Sequence, residues 1–229
     1  MKNILITGAN GGLGTAVAKK FLDNGYRVIA VDAKNDHLMF ANGNSNFQFA
    51  SVDLTNEEAA TRFISDTINQ NKKIDGALML VGGFAMGNIE KTSGADIQKM
   101  FKLNFETAYY LARPLFAHMT SNGYGRMVFV GARPALKASQ GKGLIAYALS
   151  KSLLFKLAEF LNEEGKSKNV VTSVIVPSTI DTPANRESMP DANPNDWVKA
   201  EEIADVLEFI CSDKGNVLRE SVYKVYGNS

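Results

Sequence analysis

Short runs of apolar, often β-branched residues alternate along the chain with longer segments in which apolar residues recur every three or four positions. The short runs predict strands near 2–6, 27–31, 47–51, 75–81, 126–130, 170–176 and 221–225. The longer segments predict helices near 12–24, 56–70, 95–119, 145–164 and 199–211. This alternation is typical of βα units that feed a parallel sheet. We therefore expect an α/β fold: one doubly wound parallel sheet of about seven strands with helices on both faces.

Composition supports one large domain over residues 1–229, because 45% hydrophobic and 21% charged residues allow a sizeable core. The formal charge of +1 gives no long-range field that would attract nucleic acid or a membrane surface. A single cysteine, Cys211, and two distant histidines, His37 and His118, predict neither an internal disulfide nor a metal site. No segment reaches 18 consecutive apolar residues, and we expect a soluble protein of the reducing cytoplasm.

A glycine-rich loop, TGANGGLG at 7–14, follows the first predicted strand and precedes a predicted helix. Glycines at such a point let the backbone turn sharply and approach a pyrophosphate, which the free N–H groups of the helix start can bind. A merely structural glycine turn is the alternative. The position after the first strand favours a Rossmann-type dinucleotide site, and the residues we expect to bind the cofactor are Gly8, Asn10, Gly12, Leu13 and Gly14.

Two carboxylates at predicted strand ends fit the same cofactor. Asp32 lies 18 residues after Gly14, close to the spacing of about 20 expected for the acid that binds the adenosine ribose hydroxyls. A carboxylate there repels a 2′-phosphate, so we expect NADH in preference to NADPH; Lys34 is the one nearby cation that could weaken this preference. Asp53, followed by Leu54, could accept a hydrogen bond from the adenine or could cap a helix that begins near Asn56.

Tyr147 and Lys151 stand four residues apart in a predicted helix and so share one of its faces. A phenol titrates near pH 10 in water, and a neighbouring cation is expected to lower its pKa. The pair is therefore suited to proton transfer beside a bound cofactor. By itself such a pair is frequent by chance, and its position behind a dinucleotide-binding pattern is what makes it informative.

Together, TGANGGLG, Asp32, Asp53-Leu54, Asn104 and YALSK resemble the short-chain dehydrogenase/reductase family over essentially the whole chain. The resemblance implies that Tyr147 donates a proton, that Lys151 holds the nicotinamide ribose, and that Asn104 has a catalytic role, a structural role, or both. It also implies a serine at the end of the fifth strand, but this chain has Ala132 there. Ser139, in the loop that follows, is a possible substitute.

Within that family, the segments LVGGFAMGN (80–88), VGARPAL (130–136) and TIDTPANRESMPDANPNDW (179–197) are most similar to the dihydropteridine reductase subgroup, which also has alanine in place of the serine. This likeness implies NADH-dependent reduction of a quinonoid dihydropteridine to its tetrahydro form. Two features differ from the subgroup: Phe84 replaces a tryptophan, and Asn104 is the general family's residue. A carbonyl or alcohol oxidoreductase therefore remains an alternative, as does a regulatory protein that binds the dinucleotide without chemistry.

The resemblance extends to several further positions. It implies that Gly82 and Gly83 lie beside the adenosine ribose, although a bare turn would also explain them, and that the nicotinamide is met by Pro177, Ile180 and Thr182. We expect the substrate to contact Phe84, Ala132 and Met189, whereas Trp197 could be a lid residue or a packing anchor.

Two segments remain. The first, 177–197, contains four of the six prolines and is predicted to be a long loop at the carboxyl edge of the sheet. The second, FKLNFETAYYLARPLF at 101–116, has an apolar face. The family resemblance implies that this helix pairs with its copy across a two-fold axis, and packing in the core is the alternative. The pairing reading predicts a homodimer or homotetramer.

Overall fold

The computed structural model describes residues 1–220 and 222–227. Its main sheet has seven strands, all parallel, in the order β3-β2-β1-β4-β5-β6-β9. The strands are β1 Asn3–Thr7, β2 Arg27–Asp32, β3 Phe47–Ser51, β4 Gly76–Met79, β5 Gly125–Val130, β6 Val170–Pro177 and β9 Val222–Val225. A separate pair consists of β7 Ile180–Asp181 and β8 Val198–Lys199.

Eight helices connect the strands within the described residues. They are α1 Gly12–Asp23, α2 Glu57–Asn71, α3 Gly94–Phe101, α4 Thr107–Asn122, α5 Arg133–Leu136, α6 Ile145–Gly165, α7 Pro183–Ser188 and α8 Ala200–Cys211. A 3₁₀ turn, Asp36–Ala41, follows β2, and others lie elsewhere in the loops.

The sheet is covered on both faces, which explains why its central strands read as nearly continuous apolar runs. On one face, Leu5 and Phe129 pack with Leu111 of α4 and Leu154 of α6. On the other, Ile6 packs with apolar residues of α1 and α8, among them Val17, Phe21, Ile203 and Leu207. The doubly wound α/β sheet expected from the sequence is confirmed.

The sequence-based boundaries differ from the structure most clearly in two places, and a third boundary cannot be compared. The strand expected at 75–81 ends at Met79, because the N–H groups of Leu80 and Val81 donate to the hydroxyl oxygen of Thr7 (3.0 and 3.3 Å). The single helix expected at 95–119 is interrupted by a π-helical turn, Lys102–Glu106. The first residue of the strand expected at 221–225 lies outside the described residues.

The proline-rich segment 177–197 is more ordered than predicted, and the expectation of a long loop is wrong. It contains β7, α7 and a 3₁₀ turn, Pro194–Asp196. Two of its four prolines take helix-start positions, where a missing N–H costs nothing: Pro183 begins α7 and Pro194 begins the 3₁₀ turn.

The apolar residues of 101–116 make two kinds of contact. Leu111 and Leu115 are fully buried in the core, as the packing reading predicted. On the other side the rings of Phe105 and Tyr109 stack with centroids 5.9 Å apart, and Tyr109 is partly exposed. Pairing across a two-fold axis stays a prediction.

The strand order reverses between β1 and β4, which makes a crevice outside their carboxyl ends, where open α/β sheets bind ligands. The Thr7 hydroxyl ties these two ends together. No helix among the described residues is long and apolar enough to cross a membrane, and the same part of the chain contains no cluster of metal-ligating side chains.

Candidate active site

The loop between β1 and α1 is built on close backbone contacts that only glycine allows. Gly8 has a φ of +64°, in the left-handed region. A Cβ on Gly14 would lie 2.0 Å from the carbonyl oxygen of Gly8, so the helix start packs directly on the loop. The first turn of α1 contains no acidic residue, and no side chain caps its N-terminus at Gly11. Free N–H groups, a helix dipole and room for close approach fit a pyrophosphate.

Asp32 and Asn10 are joined where β2 ends beside this loop. The N–H of Asn10 donates to Oδ2 of Asp32 (2.9 Å), and the N–H of Ala33 donates to Oδ1 (2.7 Å). The carboxylate is thereby fixed at the carboxyl edge of the sheet, with acceptor capacity left for hydroxyl groups. This is the position expected for a group that binds a ribose.

Asp53 does not cap α2, and that reading is wrong. Its carboxylate accepts hydrogen bonds from the N–H (2.9 Å) and the hydroxyl (2.7 Å) of Thr55, and these bonds lower its pKa. The N-cap is Asn56, whose side chain accepts from the N–H of Ala59 (2.9 Å). Leu54 is buried in the core. Asp53 remains exposed at the end of the loop after β3, so the adenine reading stays a prediction.

Asn104 joins three parts of the site. It lies buried inside the π-helical turn, where its Oδ1 accepts from the N–H of Gly83 (2.8 Å) and its Nδ2 donates to the carbonyl of Gly83 (3.1 Å). The same Nδ2 donates to the hydroxyl of Ser150 (3.0 Å), which in turn donates to the carbonyl of Tyr147 (2.8 Å). Asn104 thus ties the loop after β4 to the helix that carries the tyrosine, and the π turn widens the helix to admit these contacts.

Lys151 is almost fully buried beneath this network. Its Nζ donates to the carbonyl of Val130 at the end of β5 (2.8 Å). A Cβ on Gly82 would lie 2.9 Å from that Nζ and 2.8 Å from Oδ1 of Asn104, so a side chain at Gly82 would collide with both. The structure therefore brings Gly82, Asn104 and Lys151 together at the crevice.

Burial sets the titration of both members of the tyrosine–lysine pair. It raises the pKa of Tyr147 to about 12 and lowers the pKa of Lys151 to about 8, because each charged form loses hydration. The pKa of Tyr147 therefore lies above its ordinary value, not below it as the sequence suggested, because burial disfavours the phenolate. At neutral pH the phenol keeps its proton, as a donor must.

Phe84 meets the tyrosine at the mouth of the crevice. The two rings make an edge-to-face contact with centroids 5.1 Å apart, and Phe84 is 62% exposed. Ala132, in extended conformation before α5, is 4% exposed. Ser139 lies in an exposed 3₁₀ turn, Ala138–Gln140, seven residues farther along the chain. An aromatic surface therefore lies beside Tyr147, and the residue at the end of β5 carries a methyl group.

The segment after β6 closes over the glycine loop. A Cβ on Gly12 would lie 2.8 Å from Cγ2 of Thr182, so these two predicted cofactor residues are in contact. Thr182 caps α7 through the N–H of Asn185 (3.2 Å). Pro177 ends β6 and Ile180 begins β7, which places both near the same edge of the sheet.

Met189 follows α7 and is 37% exposed, and Trp197 is partly buried just before β8. The substrate role of Met189 and the two readings of Trp197 stay predictions.

Sequence reasoning did not find three parts of this site. The Thr7 hydroxyl joins the ends of β1 and β4, the Ser150 hydroxyl links Asn104 to Tyr147, and the carbonyl of Val130 holds Lys151. Ser150 could have been noticed, since a serine three residues after Tyr147 on a helix can donate to its carbonyl. The carbonyl of Val130 has no signal in the sequence.

Comparison with known proteins agrees with this geometry. A family model described as short chain dehydrogenase matches residues 2–193. The dihydropteridine reductase of Dictyostelium discoideum is 31% identical over 209 residues, which cover 90% of this chain and 86% of that protein. The acetoacetyl-CoA reductase of Acinetobacter sp. (strain RA3849) is 26% identical over 80% of this chain and 75% of its own length.

Solved structures show the same fold. ElxO with NADP bound superposes with a TM-score of 0.91 at 21% identity, covering 99% of this chain and 97% of that one. A 4-hydroxyisoleucine dehydrogenase complexed with NADH gives a TM-score of 0.88 at 23% identity, covering 99% and 98%. With the family model spanning most of its length and its glycine loop, tyrosine and lysine gathered at one crevice, the chain belongs to the short-chain dehydrogenase/reductase family of nicotinamide-dependent oxidoreductases.

Proposed function

We propose that this chain is an NADH-dependent reductase of quinonoid dihydropterins, which it converts to the tetrahydro form. The observation that carries the proposal is the absence of a side-chain hydroxyl from the residue that follows β5 and Gly131. Tyr147 and Lys151 are retained in a buried network, yet the residue that follows Gly131 is Ala132, with a buried methyl group where ketone reduction calls for a hydroxyl. The likeness to a dihydropteridine reductase, at 31% identity, supports the same substrate class.

The missing hydroxyl can be understood from the chemistry of the acceptor. Reduction of a ketone concentrates negative charge on one oxygen, and that charge needs a donor aimed at it. A quinonoid dihydropterin spreads the incoming electron pair over a conjugated ring. A single proton donor then suffices, and Tyr147 can supply that proton directly or through one water.

Each residue has a defined part in this mechanism. The nicotinamide, when bound, supplies the hydride. Tyr147 holds its proton at neutral pH because burial raises its pKa to about 12, and it donates this proton from Oη to the reduced ring. Lys151 lies below, ionised at neutral pH, and favours the phenolate that forms. Asn104 and Ser150 fix the helix that carries both groups.

The exposed ring of Phe84 is suited to stacking against a flat substrate. Its ring is exposed at the mouth of the crevice and meets Tyr147 edge to face, so a planar heterocycle can stack on it within reach of the phenol. The tryptophan of the subgroup would add an indole N–H, which this chain lacks. Met189 and Ala132 complete the proposed substrate contacts.

The activity should fall at alkaline pH because of Lys151. Burial lowers the pKa of Lys151 to about 8, so the ammonium that assists Tyr147 is lost as the pH rises through that value. We expect kcat/KM with quinonoid dihydropterin to be level near neutrality and to fall about tenfold per pH unit well above pH 8. Lys156→Met, on the exposed side of the same helix, should leave the profile unchanged. A profile that stays level far above pH 8 would contradict this role.

A second candidate is reduction of carbonyl compounds. The buried Asn104, bonded to Gly83 and Ser150, is the residue of the general family, and the similarity to an acetoacetyl-CoA reductase favours this alternative. Ser139 would then have to provide the hydroxyl from its exposed turn. A donor on an exposed turn is not held by packing and so positions the substrate poorly, which is why we favour the pterin.

The substitution Ala132→Ser separates the two candidates. If the alanine limits carbonyl chemistry, the added hydroxyl should raise kcat/KM for ketones by at least about tenfold, since one donor to a developing oxyanion contributes 10²–10³. Turnover of the pterin should change by less than about threefold, because its charge is spread over the ring. The matched control is Ala135→Ser in α5. An equal gain on both substrates would argue against the explanation given for Ala132.

An absorbance assay of NADH oxidation tests the proposed function. Purified protein is supplied with NADH or NADPH and with quinonoid dihydropterin generated in place, beside a panel of ketones and aldehydes. We expect rapid NADH oxidation with the pterin and slow turnover of the carbonyl compounds. Rapid ketone reduction without pterin turnover would support the second candidate, and dinucleotide binding without turnover of any substrate would indicate a regulatory protein.

We further propose that the chain forms one domain over residues 1–229 and assembles as a homodimer or homotetramer in the cytoplasm. The partly exposed Tyr109 of α4, stacked on the half-buried Phe105 of the π turn, supports a helix contact between copies. Sedimentation of the wild type beside Tyr109→Glu tests it, since a charge there should shift the equilibrium toward smaller species.

A further inference from the structure

The segment after β2 folds back onto the glycine loop and forms hydrogen bonds with Asn10. The side-chain Nδ2 of Asn10 donates to Oδ1 of Asp36 (2.7 Å), and the Oδ1 of Asn10 accepts from the N–H of His37 (2.8 Å). The Nδ1 of His37 contacts the carbonyl oxygen of Asn10 (2.9 Å), which makes that nitrogen the protonated one. Together with the bond from its N–H to Asp32, every polar group of Asn10 is engaged by residues 32–37.

These hydrogen bonds place the carboxylates of Asp32 and Asp36 beside Asn10 of the glycine loop. Asp32 accepts the main-chain N–H of Asn10 and Asp36 accepts its side-chain amide. Because both bond to the same residue, the two carboxylates lie within about 10 Å of each other, comparable to the Debye length of about 8 Å at physiological ionic strength. The hydrogen bond from Asn10 lowers the pKa of Asp36, which is therefore ionised at neutral pH.

We propose that Asp36 is a second determinant of the preference for NADH over NADPH, acting across Asn10 together with Asp32. The inference rests on the proposed cofactor preference and extends it to a residue outside the strand end. A 2′-phosphate adds close to two negative charges at the ribose. Its repulsion by Asp32 is then reinforced by Asp36, whereas the ribose of NADH carries no charge that Asp36 could repel.

The neighbouring basic residues do not neutralise Asp36 by direct pairing. Lys34 and His37 are the basic groups whose charges act on Asp36. Lys34 is exposed in the loop, and the ring of His37 is oriented by the carbonyl of Asn10. Neither forms an ion pair with Asp36 among the described residues.

Equilibrium binding tests the proposal without any turnover. The dissociation constants of NADH and NADPH are measured by fluorescence titration for the wild type, Asp36→Asn, Asp36→Glu and the control Asp66→Asn on α2. Asparagine keeps an oxygen that can accept from Asn10 and removes the charge. We expect Asp36→Asn to tighten NADPH about threefold to tenfold and to change NADH less than twofold. Asp36→Glu and Asp66→Asn should keep the wild-type ratio of the dissociation constants of NADPH and NADH.

Salt dependence separates charge from structure. Repulsion of the 2′-phosphate is screened by salt, so the wild-type ratio of the two constants should fall as salt is added, and it should fall less in Asp36→Asn. A purely structural role would not change this slope. An unchanged ratio and slope in Asp36→Asn overturn the inference while leaving the proposed function intact. Failure of the wild type to bind either dinucleotide overturns the proposed function and the inference with it.

Discussion

Replacement of Tyr147 by phenylalanine is expected to lower kcat for quinonoid dihydropterin by about 10³-fold, within the range of 10²–10⁴ that a positioned proton donor contributes. The variant keeps the ring that Phe84 contacts and loses only the hydroxyl, so the fold and the dissociation constant of NADH should change little. Stopped-flow measurement of NADH oxidation, with a parallel fluorescence titration of NADH, gives both quantities.

Tyr109→Phe is the matched control for this experiment. It removes the same hydroxyl from a partly exposed tyrosine of α4, away from the network of Asn104 and Ser150. It should retain wild-type activity. If Tyr147→Phe kept more than about a tenth of the wild-type kcat, another group would have to donate the proton, with Ser139 the first to examine.

Gly14→Ala is expected to have the largest effect on the fold and on cofactor binding. The new Cβ would lie 2.0 Å from the carbonyl oxygen of Gly8 and 2.7 Å from Cα of Ala9, and both are backbone atoms that no rotamer change can move. The start of α1 must therefore shift away from β1. We expect the free energy of unfolding to fall by about 3 kcal/mol, at the upper end of the usual overpacking range.

The displaced helix start should also weaken NADH binding by more than about tenfold, because its N–H groups would no longer converge on the pyrophosphate. Urea denaturation and fluorescence titration measure the two effects. Gly94→Ala provides the control, since a Cβ at the start of α3 would meet no atom within 4 Å. Wild-type stability and affinity in Gly14→Ala would contradict the packing described for this loop.

The fold could be predicted because its information is local. Each strand of the sheet has four to eight residues, most of them apolar in the central strands, and each long helix has a repeating apolar face, so the order of elements follows from periodicity. The glycine loop could be predicted for a similar reason, since Gly8 and Gly14 occupy conformations and contacts that other residues cannot adopt. The order inside 177–197 was missed because prolines at helix starts resemble prolines in loops.

Properties that depend on tertiary contacts could not be predicted. The sequence placed Tyr147 and Lys151 on one helix face and suggested that the lysine lowers the phenol's pKa, but burial has the opposite effect in this structure. The carbonyl of Val130 that accepts from Lys151 belongs to β5, 21 residues earlier in the chain. The contacts of Asn10 with Asp36 and His37 likewise join the glycine loop to a 3₁₀ turn more than 20 residues away.

The central claim is that the phenol of Tyr147 protonates an acceptor that needs no second side-chain donor. A crystal structure with NAD⁺ and tetrahydropterin bound tests it most directly, through the distance from Oη of Tyr147 to the nearest polar ring atom of the pterin. We expect a distance of roughly 2.6–3.2 Å, or one bridging water, with only the methyl group of Ala132 on the other side. An Oη that points away from the nicotinamide, or a Ser139 hydroxyl bonded to the pterin, would contradict it.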